Sequence, residues 1–245
     1  MGKYQSADAI LLRAVEYGEG NRIFTCFGRE NGKFSAVARG VLKPKSKLKG
    51  HLQLGNRCDL QLIDGRGLKT IASAVAKETY AANREKAECY FYMSYFLELF
   101  NDFLPEDAPD ENLFSLLDGT LKALADTDPA LLARFFESKL LAAAGYAVDA
   151  EHCAVCGKKL TGGFFDPRRS ALTCGSCGSG MALSPKAHFA LKYLVQTELD
   201  LVSRLKVDEE TKSALFMLNK SRIEHSLEKK IRSLEILRKT EQGLT

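Results

Sequence analysis

The stretch DAILLRAVEYGEGNRIFTCFGRENGKFSAVARGVL, residues 8–42, decides the architecture of the amino-terminal part of the chain. Runs at 8–16 (DAILLRAVE), 22–28 (RIFTCFG) and 34–42 (FSAVARGVL) are separated by the turn-rich YGEGN at 17–21 and RENG at 29–32. In a strand, successive side chains point to opposite faces, so short half-apolar runs bounded by turn residues read as strands. Asn31-Gly32 before Lys33 is a strong hairpin signal, because glycine accepts the positive φ that a tight turn demands. Two further runs follow, HLQLGNRCDLQLI at 51–63 and, after the turn DGRG, LKTIASAVAKE at 68–78. Five strands in about 80 residues, with no helical pattern to cover a sheet face, hide their apolar side by closing into a small barrel. The expectation is an OB-like five-stranded β-barrel, with Phe24, Phe27 and Phe34 in its interior.

Beyond residue 80 the period changes from strand to helix. Segment 83–104 is too long and apolar for a strand and is stopped by Pro105; 110–126 is a second amphipathic helix. A third begins with Asp128 as cap and Pro129 at the first helical position, where the missing N–H costs nothing, and ends near Gly145. Ser184-Pro185 opens another in the same way, and two more are expected at about 208–219 and 221–238. The last would carry Ile223, Leu227, Ile231, Leu234 and Leu237 on one face. At helical spacing, Tyr90, Phe91, Tyr95, Phe96, Phe100 and Phe103 read as helix-bundle core. The expected organisation is therefore an α+β multidomain chain. An OB-fold nucleic-acid-binding domain at 1–80 precedes an all-helical domain at 81–245, with a metal module inserted at about 150–182.

That module rests on four cysteines, Cys153, Cys156, Cys174 and Cys177, in the pattern C-x2-C-x17-C-x2-C. Two residues between sulfurs let one tight turn present both thiolates to a single ion, and two such turns complete a tetrahedron. Four thiolates leave no coordination position for water or substrate, so one structural Zn²⁺ per chain is expected, a brace and not a catalyst. His152 adjoins Cys153, but neighbouring residues seldom point at one ion. Gly157 and Gly178 follow each pair, where the turn calls for glycine. Lys158, Lys159, Arg168 and Arg169 would offset the negative charge of a tetrathiolate site or touch nucleic acid, and the sequence leaves both readings open.

The second chemical feature is RGVLKPKSKLKGH at 39–51, which holds Arg39, Lys43, Lys45, Lys47 and Lys49 and no acid. In an extended segment these lysines share one face, and Pro44 disfavours helix before it. A row of ammonium groups spans several phosphates and releases their counterions, giving binding largely independent of sequence. Arg22, Arg29 and Lys33 would widen the patch. Charge along the chain agrees: residues 1–80 hold 14 Lys and Arg against 7 Asp and Glu, whereas residues 81–150 hold 5 against 13. A basic head beside an acidic middle suggests that only one of them meets a polyanion.

Several function classes lack their signatures. The sequence has no Walker A, no G-x-S-x-G and no H-E-x-x-H, and its four histidines (51, 152, 188 and 225) are scattered singly. No run of about 18 apolar residues could span a membrane. Cys26, Cys58 and Cys89 sit among apolar residues, as buried thiols of a reducing compartment do, so a cytoplasmic, non-enzymatic binder is expected.

The segments YGEGNRIFTCFGRENGKFSAVARGVLKPKSKLKGHLQ and AAAGYAVDAEHCAVCG, with the order of basic barrel, helices and four-cysteine module, closely resemble the bacterial RecO family of recombination mediators. The resemblance covers essentially the whole chain. It implies a DNA-repair factor that binds single- and double-stranded DNA without sequence preference and anneals complementary strands. It further implies that the factor works with RecR to help RecA replace the single-strand-binding protein SSB, whose acidic, phenylalanine-ended C-terminal tail the family docks. Members occur with and without the zinc cysteines. A zinc-ribbon RNA-binding or transcription-associated adaptor is the alternative reading, and competition between RNA and DNA separates the two.

Overall fold

The computed structural model describes residues 4–65, 67–178 and 180–228, together with Ile231 and Ser233. The chain divides into two compact units, one up to Lys122 and one from Ala123.

In the first unit, β1 (Tyr4–Tyr17), β2 (Asn21–Gly28), β3 (Gly32–Ala38), β4 (Arg57–Ile63) and β5 (Lys69–Glu78) close into a barrel in the order β1-β2-β3-β5-β4. All pairings are antiparallel except β3–β5. The long β1 closes the barrel because it serves two neighbours: residues 4–10 pair with β4 and residues 9–17 with β2, with an irregularity between Leu11 and Arg13. Such irregularities bend a strand and let one chain join two sheet edges. The period-2 pattern is visible in β4, where Cys58, Leu60 and Leu62 face inward between exposed Asp59 and Gln61. Ala7, Ala9, Leu11, Phe24, Cys26, Phe34, Ala36, Ile71 and Ala74 fill the rest of the interior. Burial raises the thiol pKa of Cys26 and pushes Cys58 up to about 12, consistent with inert packing residues.

Asn31-Gly32 makes the expected hairpin. Gly32 has φ +66°, and a Cβ there would lie 2.6 Å from the backbone of Ala108, so the position excludes a side chain twice over.

Two strand expectations are corrected. Residues 34–42 and 51–63 do not run as continuous strands: β3 stops at Ala38, β4 starts at Arg57, and 39–56 is a chain of turns and bends. Alternating apolar residues imitate a strand here. Val41 and Leu52, each 2% exposed, instead tuck into the barrel interior, with Leu42 and Leu48 packed against it. Phe27 is buried but not in the interior. It faces outward, its ring 5.0 Å edge-on from Phe100 and 6.3 Å stacked with Phe114.

Those partners belong to the helices of the same unit: α1 (Ala82–Glu85), α2 (Ala87–Phe103) and α3 (Glu111–Ala123). Tyr95, Phe96 and Phe100 are core, as their spacing predicts, but Tyr90 and Phe91 are exposed. Polar groups cross-link barrel and helices. Arg57 donates to Asp8 (2.9 and 2.6 Å) and to Asp118 (3.3 Å), and the Tyr80 hydroxyl donates to Asp118 at 2.6 Å. The Arg57 hydrogen bonds hold the Asp8 carboxyl below the usual carboxylate range against the opposing effect of its partial burial, with Lys77 and Arg29 adding their charge.

The second unit contains α4 (Pro129–Ala143), a three-stranded antiparallel sheet, α5 (Pro185–Gln196), a 3-10 segment (Leu199–Arg204) and α6 (Glu209–Leu227). Asp128 caps α4 by accepting from Leu131 N–H, and Ser184 caps α5 by accepting from Ala187 N–H, as expected. The sheet consists of β6 (Gly163–Asp166), β7 (Ala171–Thr173) and β8 (Met181–Leu183) in the order β7-β6-β8, and no sequence pattern predicts it.

The two expected helices at 208–219 and 221–238 are one continuous helix as far as Leu227; Leu234 and Leu237 lie outside the described residues. The polar run Asn219-Lys220-Ser221-Arg222 resembles a break. It is helical because Asn219 and Arg222 turn inward, Asn219 donating to Glu137 at 2.9 Å and Arg222 to Asn219 at 3.3 Å. Glu137 also pairs with buried Arg134 at 2.8 Å. No helix among the described residues is long and apolar enough to cross a membrane.

Candidate nucleic-acid interface and metal centre

The four cysteines that the spacing singles out come together in the second unit: their sulfurs all lie within 4.8 Å of one another. Each pair is presented by a tight turn. Gly157 N–H donates to Cys153 O at 2.9 Å, and Cys177 and Gly178 N–H donate to Cys174 O at 3.0 and 3.1 Å. The two glycines act differently. Gly157 has φ +69°, the expected left-handed turn, whereas Gly178 is required by close approach, since a Cβ there would meet the Thr173 hydroxyl at 1.9 Å.

The geometry fits a metal. A tetrahedral ion with bonds of about 2.3 Å to sulfur separates its sulfurs by about 3.8 Å, and Cys156 Sγ and Cys174 Sγ are 3.8 Å apart. Backbone N–H groups of Cys174, Cys156 and Val155 pull the Cys153 thiol down to about 6, favouring the thiolate that a cation takes. Hydrogen bonds to Cys156 and Cys174 push Cys177 up to about 12. His152 takes no part; its Nδ1 lies 3.3 Å from Asp149. Of the four basic residues near the module, Arg169 pairs with Asp166 at 2.5 Å, and Lys158, Lys159 and Arg168 are exposed.

The basic residues of the barrel divide into two groups. Arg39, Lys43, Lys45, Lys47 and Lys49 are all exposed, and among the described residues none is in an ion pair. They are not an extended row, because the segment turns on itself: Lys43 N–H donates to Gly40 O, Ser46 N–H to Lys43 O, and His51 and Leu52 N–H to Leu48 O. The start of this loop is clamped to the β1–β2 turn. Leu42 N–H donates to Gly20 O at 3.0 Å, Gly40 N–H donates to Asn21 Oδ1 at 2.7 Å, and the Lys43 stem lies over Gly20 and Gly40.

The remaining candidates are engaged elsewhere. Lys33 is half-buried, donating to Asn101 O at 3.1 Å and pairing with Glu106 at 3.3 Å, so its charge holds the hairpin against the chain after α2. Arg29 pairs with Asp8 and Glu111 and lies 4.4 Å over the Phe114 ring. Arg22 pairs with Glu16 at 3.5 Å at the hairpin edge. No local sequence signal could have shown the Lys33–Glu106 and Arg29–Glu111 pairs, because these partners lie some 70 to 80 residues away.

The structure adds Tyr17, which no sequence signal singles out; it ends β1 at the clamped turn and is 56% exposed. A second surface lies on the second unit, where Pro185, Phe189, Leu205 and Val207 line a groove of about 480 Å³ with Lys186 and Lys206 beside it. Two of the histidines serve the fold: His188 Nε2 is 2.7 Å from Ala150 O, and His51 Nδ1 accepts from Ala76 N–H at 3.3 Å.

Comparison with known proteins matches both parts of the chain in order. Residues 1–80 match the family described as recombination protein O N terminal, and residues 84–235 match recombination protein O C terminal. The chain is 35% identical over 240 residues to the DNA repair protein RecO of Pelotomaculum thermopropionicum, covering 96% of this chain and 94% of that protein. It is 32% identical over 241 residues to that of Desulforamulus reducens, at 96% and 94% coverage, and 31% identical over 232 residues to that of Dehalococcoides mccartyi, at 92% of each. An OB-like barrel with an unpaired basic loop, helices interrupted by a four-cysteine cluster, and likeness along nearly the full length lead to one conclusion: the chain belongs to the RecO family and has its role in DNA repair and recombination.

Proposed function

We propose that this chain is a non-catalytic recombination mediator that binds single- and double-stranded DNA through the loop following β3. The observation that carries the reading is the set Arg39, Lys43, Lys45, Lys47 and Lys49, five exposed cations with no ion-pair partner among the described residues. Lysine offers a point charge and not a planar fork, so it holds phosphates without reading bases. Two DNA backbones repel each other. A surface presenting ammonium groups to both lowers that repulsion and lets complementary bases pair, with no nucleotide hydrolysis. Annealing, and with RecR the transfer of SSB-coated strands to RecA, follow on this reading.

The cysteine cluster would hold Zn²⁺ through Cys153, Cys156, Cys174 and Cys177. The ion supplies cross-linking of two turns and no reaction chemistry, since the protein already provides four ligands. For the acidic tail of SSB, the groove beside α5 has suitable chemistry. Phe189 is 61% exposed there and Lys206 is exposed beside it. A cytoplasmic location follows from the substrate.

Replacing Lys43, Lys45, Lys47 and Lys49 together by Ala tests the central claim. Affinity should fall for every DNA sequence, and the salt dependence should flatten by about one unit of log–log slope for each phosphate no longer neutralised. Unchanged affinity overturns it.

A further inference from the structure

We infer that Tyr17 is a base-stacking platform that gives the basic loop its grip on unpaired, as opposed to duplex, nucleic acid. The inference rests on the reading of the loop after β3 as the nucleic-acid contact and adds the substrate form that the barrel selects.

Tyr17 ends β1, pairing with Asn21 across the turn, and its hydroxyl makes no hydrogen bond among the described residues. A tyrosine in a strand ordinarily buries its ring, but this one is 56% exposed. Two residues earlier, on the same outward side of β1, Val15 is 46% exposed, and its cross-strand partner is half-buried Ile23. An aromatic ring and two aliphatic side chains therefore form a short apolar strip on the barrel wall.

The strip lies beside the cations. Tyr17 opens the turn whose Gly20 carbonyl accepts from Leu42 N–H and whose Gly20 carries the Lys43 stem. Asn21, the residue opposite Tyr17, anchors Gly40, the neighbour of Arg39. Two hydrogen bonds to the loop backbone and one packed side-chain stem thus set Arg39 and Lys43 at the border of the aromatic residue.

That combination has a specific meaning. Phosphates are present on both duplex and single strands, and the lysines serve either. Base faces are open only on a single strand, because in a duplex they are stacked against one another. A ring more than half exposed, set beside these cations, can therefore add binding energy for an unpaired strand only. The complementarity of the flanking cations to phosphate commits the strip to nucleic acid.

The test is equilibrium binding of the full chain to a labelled thymine homopolymer and to a blunt duplex of equal length, by fluorescence anisotropy at fixed salt. Tyr17→Ala should weaken single-strand binding by about fivefold or more, the size of one base–ring stack. Tyr17→Phe should retain it, since the ring and not the hydroxyl acts, and the salt slope should not change. Duplex affinity should stay at the wild-type value, which also reports an intact fold. Equal weakening on both substrates, or none on the single strand, overturns the inference. The quadruple lysine variant runs alongside: if it binds both substrates as wild type does, the loop reading fails, whatever the Tyr17 variants show.

Discussion

The Asp8 carboxylate is held by two hydrogen bonds from the Arg57 guanidinium, at 2.9 and 2.6 Å, and this pair joins the first strand of the barrel to the fourth. Arg57 continues to Asp118 on α3, so one guanidinium ties strand, strand and helix. Both carboxyls lie below their ordinary range. Arg57 is the chief cause at Asp8; at Asp118, burial acts the other way and hydrogen bonds from Lys122 and Tyr80 outweigh it.

The direction of the pH dependence is set by this depression. A carboxyl depressed in the folded state contributes stability above its unfolded pKa of about 4, and that contribution is lost as pH falls through the folded value. Asp8→Asn should cost about 1–3 kcal/mol at neutral pH and reduce the loss of stability below about pH 4. Thermal unfolding followed between pH 2 and 7 checks this; a variant with the wild-type acid profile refutes it.

Tyr80→Phe removes the 2.6 Å bond to Asp118 while keeping the ring. The expected cost is about 1–2 kcal/mol, since a charged acceptor loses one partner but keeps Arg57 and Lys122. A urea midpoint shift at constant slope would register it, and an unshifted midpoint would contradict the network.

Lys33 and Lys43 should behave oppositely, although in the sequence both look like DNA-binding residues. Lys33→Ala should lower stability, by removing the bonds to Asn101 and Glu106, and leave the salt slope of DNA binding alone. Lys43→Ala should leave stability within about 0.5 kcal/mol and reduce the slope by about one. Chemical denaturation and salt titration on the same preparations separate them.

Metal analysis of the purified protein should give one zinc per chain. Stripping it with a thiol-reactive mercurial and chelator should abolish hydrogen-exchange protection in β6, β7 and β8 and spare the barrel strands. Cys153→Ser, which removes the buried sulfur, should do the same. Retained protection in the module after metal removal would take the brace out of the account.

The barrel is legible in the sequence because short apolar runs are separated by turn-rich stretches, β4 alternates with a period of two, and Asn31-Gly32 marks a turn that only glycine can make. The cysteine cluster is legible because metal coordination imposes a spacing that chance does not. Other features are hidden for identifiable reasons. Val41 and Leu52 carry a strand-like pattern yet serve the barrel interior from a loop. The strands β7 and β8 are three residues each, too short to show a period. Asn219 and Arg222 are polar, and only the buried Glu137 and Arg134 explain why a helix continues through them. Tyr17 sits within a turn-rich stretch, where an exposed ring leaves no mark in the pattern.

The loop after β3 has an interior side, and this governs how its charges work. Val41 and Leu52 root both of its ends in the hydrophobic core, and Gly40 and Leu42 are hydrogen-bonded to the neighbouring hairpin. Its backbone is ordered when the barrel folds, well before any polyanion arrives. Association therefore need not freeze a floppy segment, and electrostatic attraction appears as affinity without that entropic deduction. Loosening the anchors, by Val41→Ala for instance, would weaken binding with every ammonium group still in place.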